Sequence, residues 1–355
     1  MTFFKDTLSL IKKYYIPIGL FFTILFLLVS FIAPYIFTQP AFTDNLDFTA
    51  RGAIGDTIGG LMNPFIAISA SILTFMAFYI QYKANQEVQK QFRIQQFESQ
   101  FYEMLRLHKE NVNEVSVSET KTVIQSFKNN QIAIIDINGR KAFEHHVREL
   151  EINYNAAKIV FEDMDKDFWL KKAYHLYFFG LGDDDKKNFY VSSNKRPPKS
   201  KTKDREFYDK IKKTKGSLQF EKIEGHATYL AHLYRHLFQM VKFVATQDES
   251  FISYEEQRKY LRILRAQLSN PEQVMLFYNW KSNFGFKWEE ADEESKDNSK
   301  KNKFFTDYRM IHNLYQDIIF EDFKLEEIFD LNGYFRKEKD RDKDPLFEYE
   351  DWKDD

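Results

Sequence analysis

Two uncharged apolar runs dominate the first 82 residues, and beyond them the chain is polar with apolar positions at helical spacing. The first run, Ile16 to Phe37, has about 20 residues, enough to cross a hydrocarbon core of roughly 30 Å as a helix. It ends Ser30-Phe31-Ile32-Ala33-Pro34-Tyr35, without an A-x-A cleavage pattern, so it reads as a retained anchor and not a signal peptide. The second run, Ile58 to Ile80, lies between Asp56 and Lys83 and is also of spanning length. Together they predict a transmembrane helical hairpin. Lys5, Lys12 and Lys13 precede the first span and Lys83, Lys90 and Arg93 follow the second, whereas the connecting loop sets Arg51 among Asp44, Asp47 and Asp56. Positive-inside bias therefore predicts a multi-pass membrane protein with both termini in the cytoplasm.

The second span is the less uniform of the two. Gly52, Gly55, Gly59 and Gly60 gather at its outer end, and Asn63-Pro64 sits inside it. Gly55 to Gly59 is a GxxxG, a spacing that lets helix backbones approach closely, while Asn63 can hydrogen-bond across such a contact and Pro64 opens the helix ladder. Two readings fit: packing of the hairpin on itself, or an oligomer contact or conducting path that includes Asp56.

From Gln81 the chain turns polar without a breaker. Val88, Phe92, Phe97, Phe101, Leu105 and His108 recur at helical spacing, which predicts that one helix leaves the membrane and runs to about Asn113, its apolar side buried against the cytoplasmic domain or a second copy. Ile132 to Ile137 reads equally as a short strand or a buried helical turn. Lys141 to Phe179 reads as two helices ended by Gly180 and Gly182, and helices follow at Ala227 to Val244, Tyr254 to Leu268 and Val274 to Trp280. Phe304 to Phe320 resumes helical spacing after a charged connector. The expected domains are an N-terminal cytoplasmic segment (1–14), a membrane hairpin (15–82), a helical cytoplasmic domain (83–336) and a charged tail (337–355) that is mobile or contacts a partner.

Composition agrees with an all-α reading, since 12 Gly and 8 Pro are few turn-formers for an all-β architecture of 355 residues. Zero Cys excludes disulfides, thiol catalysis and Cys-ligated metals. A net charge of −2 leaves nucleic-acid binding only to a local patch. Such a patch exists between Lys186 and Lys215, where twelve Lys or Arg, among them Lys195, Arg196, Lys199, Lys201 and Lys203, face three acids. Pro197-Pro198 makes this a loop, either solvated or touching nucleic acid or anionic lipid.

Catalytic signals are sparse. His232 and His236 have zinc-helix spacing, but Leu233 stands where a zincin needs Glu and no third ligand is near, so no metal is expected. Asp183-Asp184-Asp185 reads as a solvated loop. Arg140 and His145 resemble the R-x4-6-H pair of HEPN ribonucleases, in which His handles the 2′-OH proton and Arg stabilises the phosphorane without metal. No Walker A, GxSxG or HExxH is present, and nothing calls for a cofactor.

Several blocks together resemble the putative phage abortive infection protein family of bacterial membrane-anchored proteins. They are Gly55 to Pro64 with Leu73 to Tyr82; Gln96 to Leu105 with His108 and Asn111; Tyr234-Arg235-His236-Leu237-Phe238; and Leu264-Arg265-Ala266-Gln267-Leu268-Ser269-Asn270 leading to Phe277-Tyr278-Asn279. The resemblance implies restriction of phage growth by disabling the infected cell, and the bacterial inner membrane as location. It supplies no catalytic residue, and Leu233-Tyr234 departs from the aromatic pair usual in the family before Arg. Expected partners are membrane lipids, further copies of the chain, and a phage-derived trigger or companion defence protein, with nucleic acid at the basic loop as an alternative. The leading expectation is a sensor domain coupled to a membrane-disrupting hairpin. The alternatives are a tethered ribonuclease using Arg140 and His145, or a non-catalytic scaffold.

Overall fold

The computed structural model describes residues 2–37, 52–126, 129–180, 200–217, 225–290, 301–329 and 345–348. The chain divides into two compact units, Met1–Ser99 and Gln100–Asp355.

The first unit is built from two helices, α1 (Thr2–Phe37) and the N-terminal part of α2 (Gly52–Glu114). Helix α1 is interrupted at Tyr14, where φ is −115°. Pro17 accounts for the position, because it lacks an N–H and its ring crowds the carbonyl four residues back, at Lys13. Both helices are long and apolar enough to cross a membrane. Their large apolar side chains stay uncovered: Phe31 is 72% exposed, Phe75 71% and Phe78 67%. That is costly in water and favourable in lipid. The two helices meet through small and polar groups, with Thr23, Ser30, Ala33, Ser69 and Met76 buried and the Ser69 hydroxyl donating to the Thr23 carbonyl at 3.5 Å. Gly19 permits this approach, since a Cβ there would run into the Met76 thioether.

Helix α2 continues through Pro64 and past the apolar run to Glu114, close to the end the spacing predicts. Its phenylalanine stripe divides, however: Val88 and Phe92 are exposed, whereas Phe97, Phe101 and His108 are buried.

In the second unit an antiparallel hairpin follows, β1 (Ser116–Ser126) and β2 (Asn129–Asn138), with Ser116 opposite Asn138. The Ile132 to Ile137 run is thus part of a strand, and β-branched density decides against the helical turn. Gly139 turns the chain from β2 into α3 (Arg140–Val160) with φ +67°, a conformation glycine adopts without penalty.

Helix α3 packs on α4 (Lys166–Phe179), on α5 (Ser200–Ser217) and on α8 (Asn270–Lys281). Asp165 caps α4 by accepting from the Phe168 N–H at 2.8 Å, and Gly180 ends it at φ +70°. Helix α5 corrects the basic-loop expectation, because the described part of that loop is helical. Phe207 and Ile211, one turn apart, bury against Ala157, Val160, Phe161 and Leu176, and this seam outweighs the charge density. Lys203 pairs with Asp163 at 2.7 Å, and Lys172 with Asp204 at 2.7 Å.

Helix α6 (Ala227–Ala245) and α7 (Tyr254–Arg265) follow, with a capping box at α7 between Ser253 and Glu256. Helix α8 shows no amphipathic period, for every residue from Glu272 to Asn279 is buried. After it, Phe304 to Phe320 departs from the helical expectation and forms turns with one 3-10 turn at Gln316–Ile318. Two causes are visible. Arg309 lies in the left-handed region at φ +60°, and the Glu289 carboxylate draws in the Phe305 and Thr306 N–H groups at 2.9 and 3.2 Å. The apolar residues are buried all the same, Phe305, Met310, Ile311 and Leu314 at 0% exposure. A short α9 (Leu325–Ile328) follows.

The tail is also corrected in its described part. Leu346 and Phe347 are buried, and the Glu348 N–H donates to the His312 carbonyl at 2.8 Å.

Candidate functional site

Two openings in the second unit gather five of the residues singled out in the sequence, His108, Arg140 and Gln267 in one and Tyr234 and Arg235 in the other. The first is a polar cavity of about 300 Å³ lined by His108, Lys109, Val112 and Asn113 of α2, Arg140 of α3 and Gln267 beyond α7. The Gly139 turn places Arg140 here, because the Gly139 N–H donates to the Val115 carbonyl at 2.8 Å. The Arg140 guanidinium donates to the Gln267 carbonyl at 2.6 Å and stands 3.9 Å from the Glu272 carboxylate. His108 is 2% exposed, neither ring nitrogen has a hydrogen-bond partner among the described residues, and its ring stacks on His236 at 6.2 Å. Burial above all, then His236 and Arg140, pushes the His108 imidazole down to about 4, so it is neutral at physiological pH. His236 in turn donates to the Met104 carbonyl at 2.9 Å. A neutral imidazole, an amide, and the cations Lys109 and Arg140 suit a small anionic or polar guest.

The second opening, about 280 Å³, is aromatic. Phe178, Tyr234, Phe238, Phe284 and Trp288 line it, and Arg235 and Lys287 contribute its cations. Gly285 lets the walls close up, since a Cβ there would strike the Asn279 side chain and meet the Trp288 ring. The Asn279 amide donates to the buried Tyr174 hydroxyl at 2.8 Å, tying α8 to α4 behind the aromatic wall.

Residues 225–319 match the family model described as putative phage abortive infection protein. The abortive infection domain so defined covers less than half of the chain, from the start of α6 through α8 to the turns that end at Ile319. It holds Tyr234, Arg235, Asn279 and Trp288 of the aromatic opening and Gln267 of the polar one. No curated protein and no solved structure matches the chain.

The other predicted residues distribute as follows. Arg265 of the abortive infection domain donates to the Arg309 carbonyl at 3.4 Å, which helps hold the left-handed turn. Asn270 begins α8. Phe101 lies edge-on to Tyr260 at 5.3 Å. His145 is half-buried on α3 and lines neither opening, so Arg140 and His145 do not share one. His232 is exposed and His236 is committed to Met104, so the structure does not assemble them as ligands. Lys201 and Lys203 lie on α5. Lys195, Arg196, Lys199 and the Asp183-Asp184-Asp185 run fall outside the described residues.

Gly55, Gly59 and Gly60 lie on α2, and apart from the local backbone of that helix no described residue comes within 4 Å of the place a Cβ would take. Asp56 and Asn63 beside them are exposed.

One cluster escaped the sequence reading. His146 and Glu149, three apart on α3, meet His226 at the N-terminus of α6, where the His226 ring lies 2.7 Å from the Glu149 carboxylate. The H-x-x-E spacing on α3 was the available signal. His226, 77 residues away in sequence from Glu149, was not predictable from it.

Proposed function

We propose that this chain is an inner-membrane effector of bacterial abortive infection. The cytoplasmic helical domain detects infection, and the hairpin, in an assembly of several copies, breaches the membrane of the infected cell. The observation that carries this reading is the glycine face of α2, against which no described residue outside the helix packs. The hairpin satisfies its own packing through Gly19, Thr23, Ser69 and Met76, which leaves Gly55, Gly59 and Gly60 for helices of other copies. Asn63 and Asp56 beside them supply polar groups that lipid alone does not satisfy. Val88 and Phe92, exposed at 61% and 64%, extend an uncovered face along the same helix. The abortive infection domain at 225–319 gives the biological context.

Both termini are cytoplasmic in this account, by the lysine and arginine bias around the spans. The polar cavity at His108, Arg140 and Gln267 is the place for a small anionic trigger, while a companion protein at the domain surface is the alternative input. Gly59→Leu and Asn63→Leu variants, verified as expressed and membrane-inserted, test the reading by efficiency of plating. Each is expected to lose phage protection, and protection equal to wild type would remove the membrane-effector mechanism.

A further inference from the structure

His146, Glu149 and His226 each offer one ligand atom, and these three atoms lie within 4.8 Å of one another. Glu149 and His146 are at least nine-tenths buried. The hydrogen bonding of the cluster is incomplete. Neither nitrogen of His146 has a partner among the described residues, although its ring lies 4.7 Å from that of His226. The buried Tyr177 hydroxyl is likewise without a partner, its ring 5.8 Å from His146 and 4.9 Å from His226. Native interiors leave few buried polar groups orphaned in this way.

We infer that His146, Glu149 and His226 form a binding site for a divalent first-row transition metal of the zinc class. Two imidazoles and one carboxylate are the donor set such ions take when three protein ligands leave the fourth position open. Ligand bonds of about 2.0–2.2 Å in a tetrahedron set donors roughly 3.4 Å apart, so from separations of up to 4.8 Å the widest pair must draw in by as much as about 1.4 Å, within the reach of side-chain rotation, while the 2.7 Å His226–Glu149 contact opens. Binding would engage the idle His146 nitrogen, and a water in the fourth position could reach Tyr177.

The backbone around His226 is placed by packing. The His226 N–H donates to the Tyr177 carbonyl at 3.3 Å, and Gly225 abuts the Phe179–Gly180 backbone so closely that a Cβ would overlap it. A metal here would clamp the first residues of the abortive infection domain to α3, and this inference stands whether or not the hairpin breaches membranes.

The test uses the untagged full-length chain in detergent, stripped with EDTA and titrated with Co²⁺, whose visible d–d bands report tetrahedral coordination. One equivalent of Co²⁺ with tetrahedral bands, displaced by Zn²⁺, is expected, together with a higher melting temperature. Glu149→Gln and His146→Gln should each weaken binding at least tenfold, while His232→Gln, on the exposed face of α6, should bind as wild type. Absence of Co²⁺ and Zn²⁺ binding by the folded wild-type chain would overturn the inference on its own, without reliance on any variant. Unchanged affinity in folded Glu149→Gln would overturn it as well.

Discussion

Gln273 and Asn313 exchange two hydrogen bonds across 40 residues of sequence: the Gln273 amide donates to the Asn313 side-chain oxygen at 2.9 Å, and the Asn313 N–H donates back to Gln273 Oε1 at 3.0 Å. Gln273 is fully buried in α8, so its side chain does for the irregular 301–329 segment what a neighbouring strand would do for a ladder. Gln273→Ala orphans both groups and is expected to cost about 1–3 kcal/mol for each one left buried. Gln273→Glu should be no better, because it places a carboxylate against the Asn313 side-chain oxygen. Chemical denaturation of the full-length chain in detergent, followed by tryptophan fluorescence, measures both.

Glu272 presents the opposite balance. Its carboxylate accepts from the Ser269 N–H at 2.7 Å and the Ser269 hydroxyl at 2.5 Å, yet burial raises its pKa, with Ser269 and Arg140 only partly offsetting that. A carboxyl whose folded pKa is raised binds its proton more tightly when folded, so its ionised form costs stability at neutral pH and the cost fades as pH falls through the folded pKa. Glu272→Gln keeps a capping partner for Ser269 and removes that charge, so it should be tolerated, whereas Glu272→Ala should cost about 1 kcal/mol through loss of the cap. Thermal melts of the two variants at neutral pH separate these outcomes.

His108 gives a pH dependence of the other sign. Its folded value of about 4 lies below the ordinary 6.5, so the unfolded chain binds the proton first and stability falls as pH drops from about 6.5 towards 4. His236 and Arg140 are the neighbours that oppose its protonation. Full protonation of the unfolded state alone is worth roughly 3 kcal/mol at 1.36 kcal/mol per unit. His108→Gln should flatten the slope of stability against pH in that window, and a slope unchanged in the variant would exclude His108 as its source.

Much of this architecture was legible in the sequence, and the exceptions share causes. The two long apolar helices, the extent of α2 and helices α3, α4, α6, α7 and α8 announce themselves through long apolar or periodic runs and local stops such as Gly180 and Ser269. The 304–320 segment misled because buried aromatic spacing mimics a helix, while its real determinants are distant, Glu289 and Gln273. Helix α5 was hidden by its charge, since two residues, Phe207 and Ile211, carry its packing. The polar cavity could be named only in pieces. Arg140 stood out as half of a nuclease pair and His108 and Gln267 as family-like positions, and nothing local tells that a turn at Gly139 brings the three together.

The nuclease alternative has its own test. Arg140 is held by Gln267 and Glu272 in an opening that His145 does not line. An Arg140→Ala/His145→Ala double variant is expected to leave cellular RNA intact during infection, as wild type does. RNA breakdown in infected cells carrying wild type, lost in the double variant, would instead establish the ribonuclease.

If protection comes from membrane damage by the hairpin, the infected cell loses its membrane potential. That potential can be followed in single phage-infected cells with a voltage-sensitive dye through the time before lysis. Early depolarisation is expected in cells carrying the wild-type chain, absent from vector controls and from Gly59→Leu cells. A potential that holds while phage production fails would contradict that mechanism.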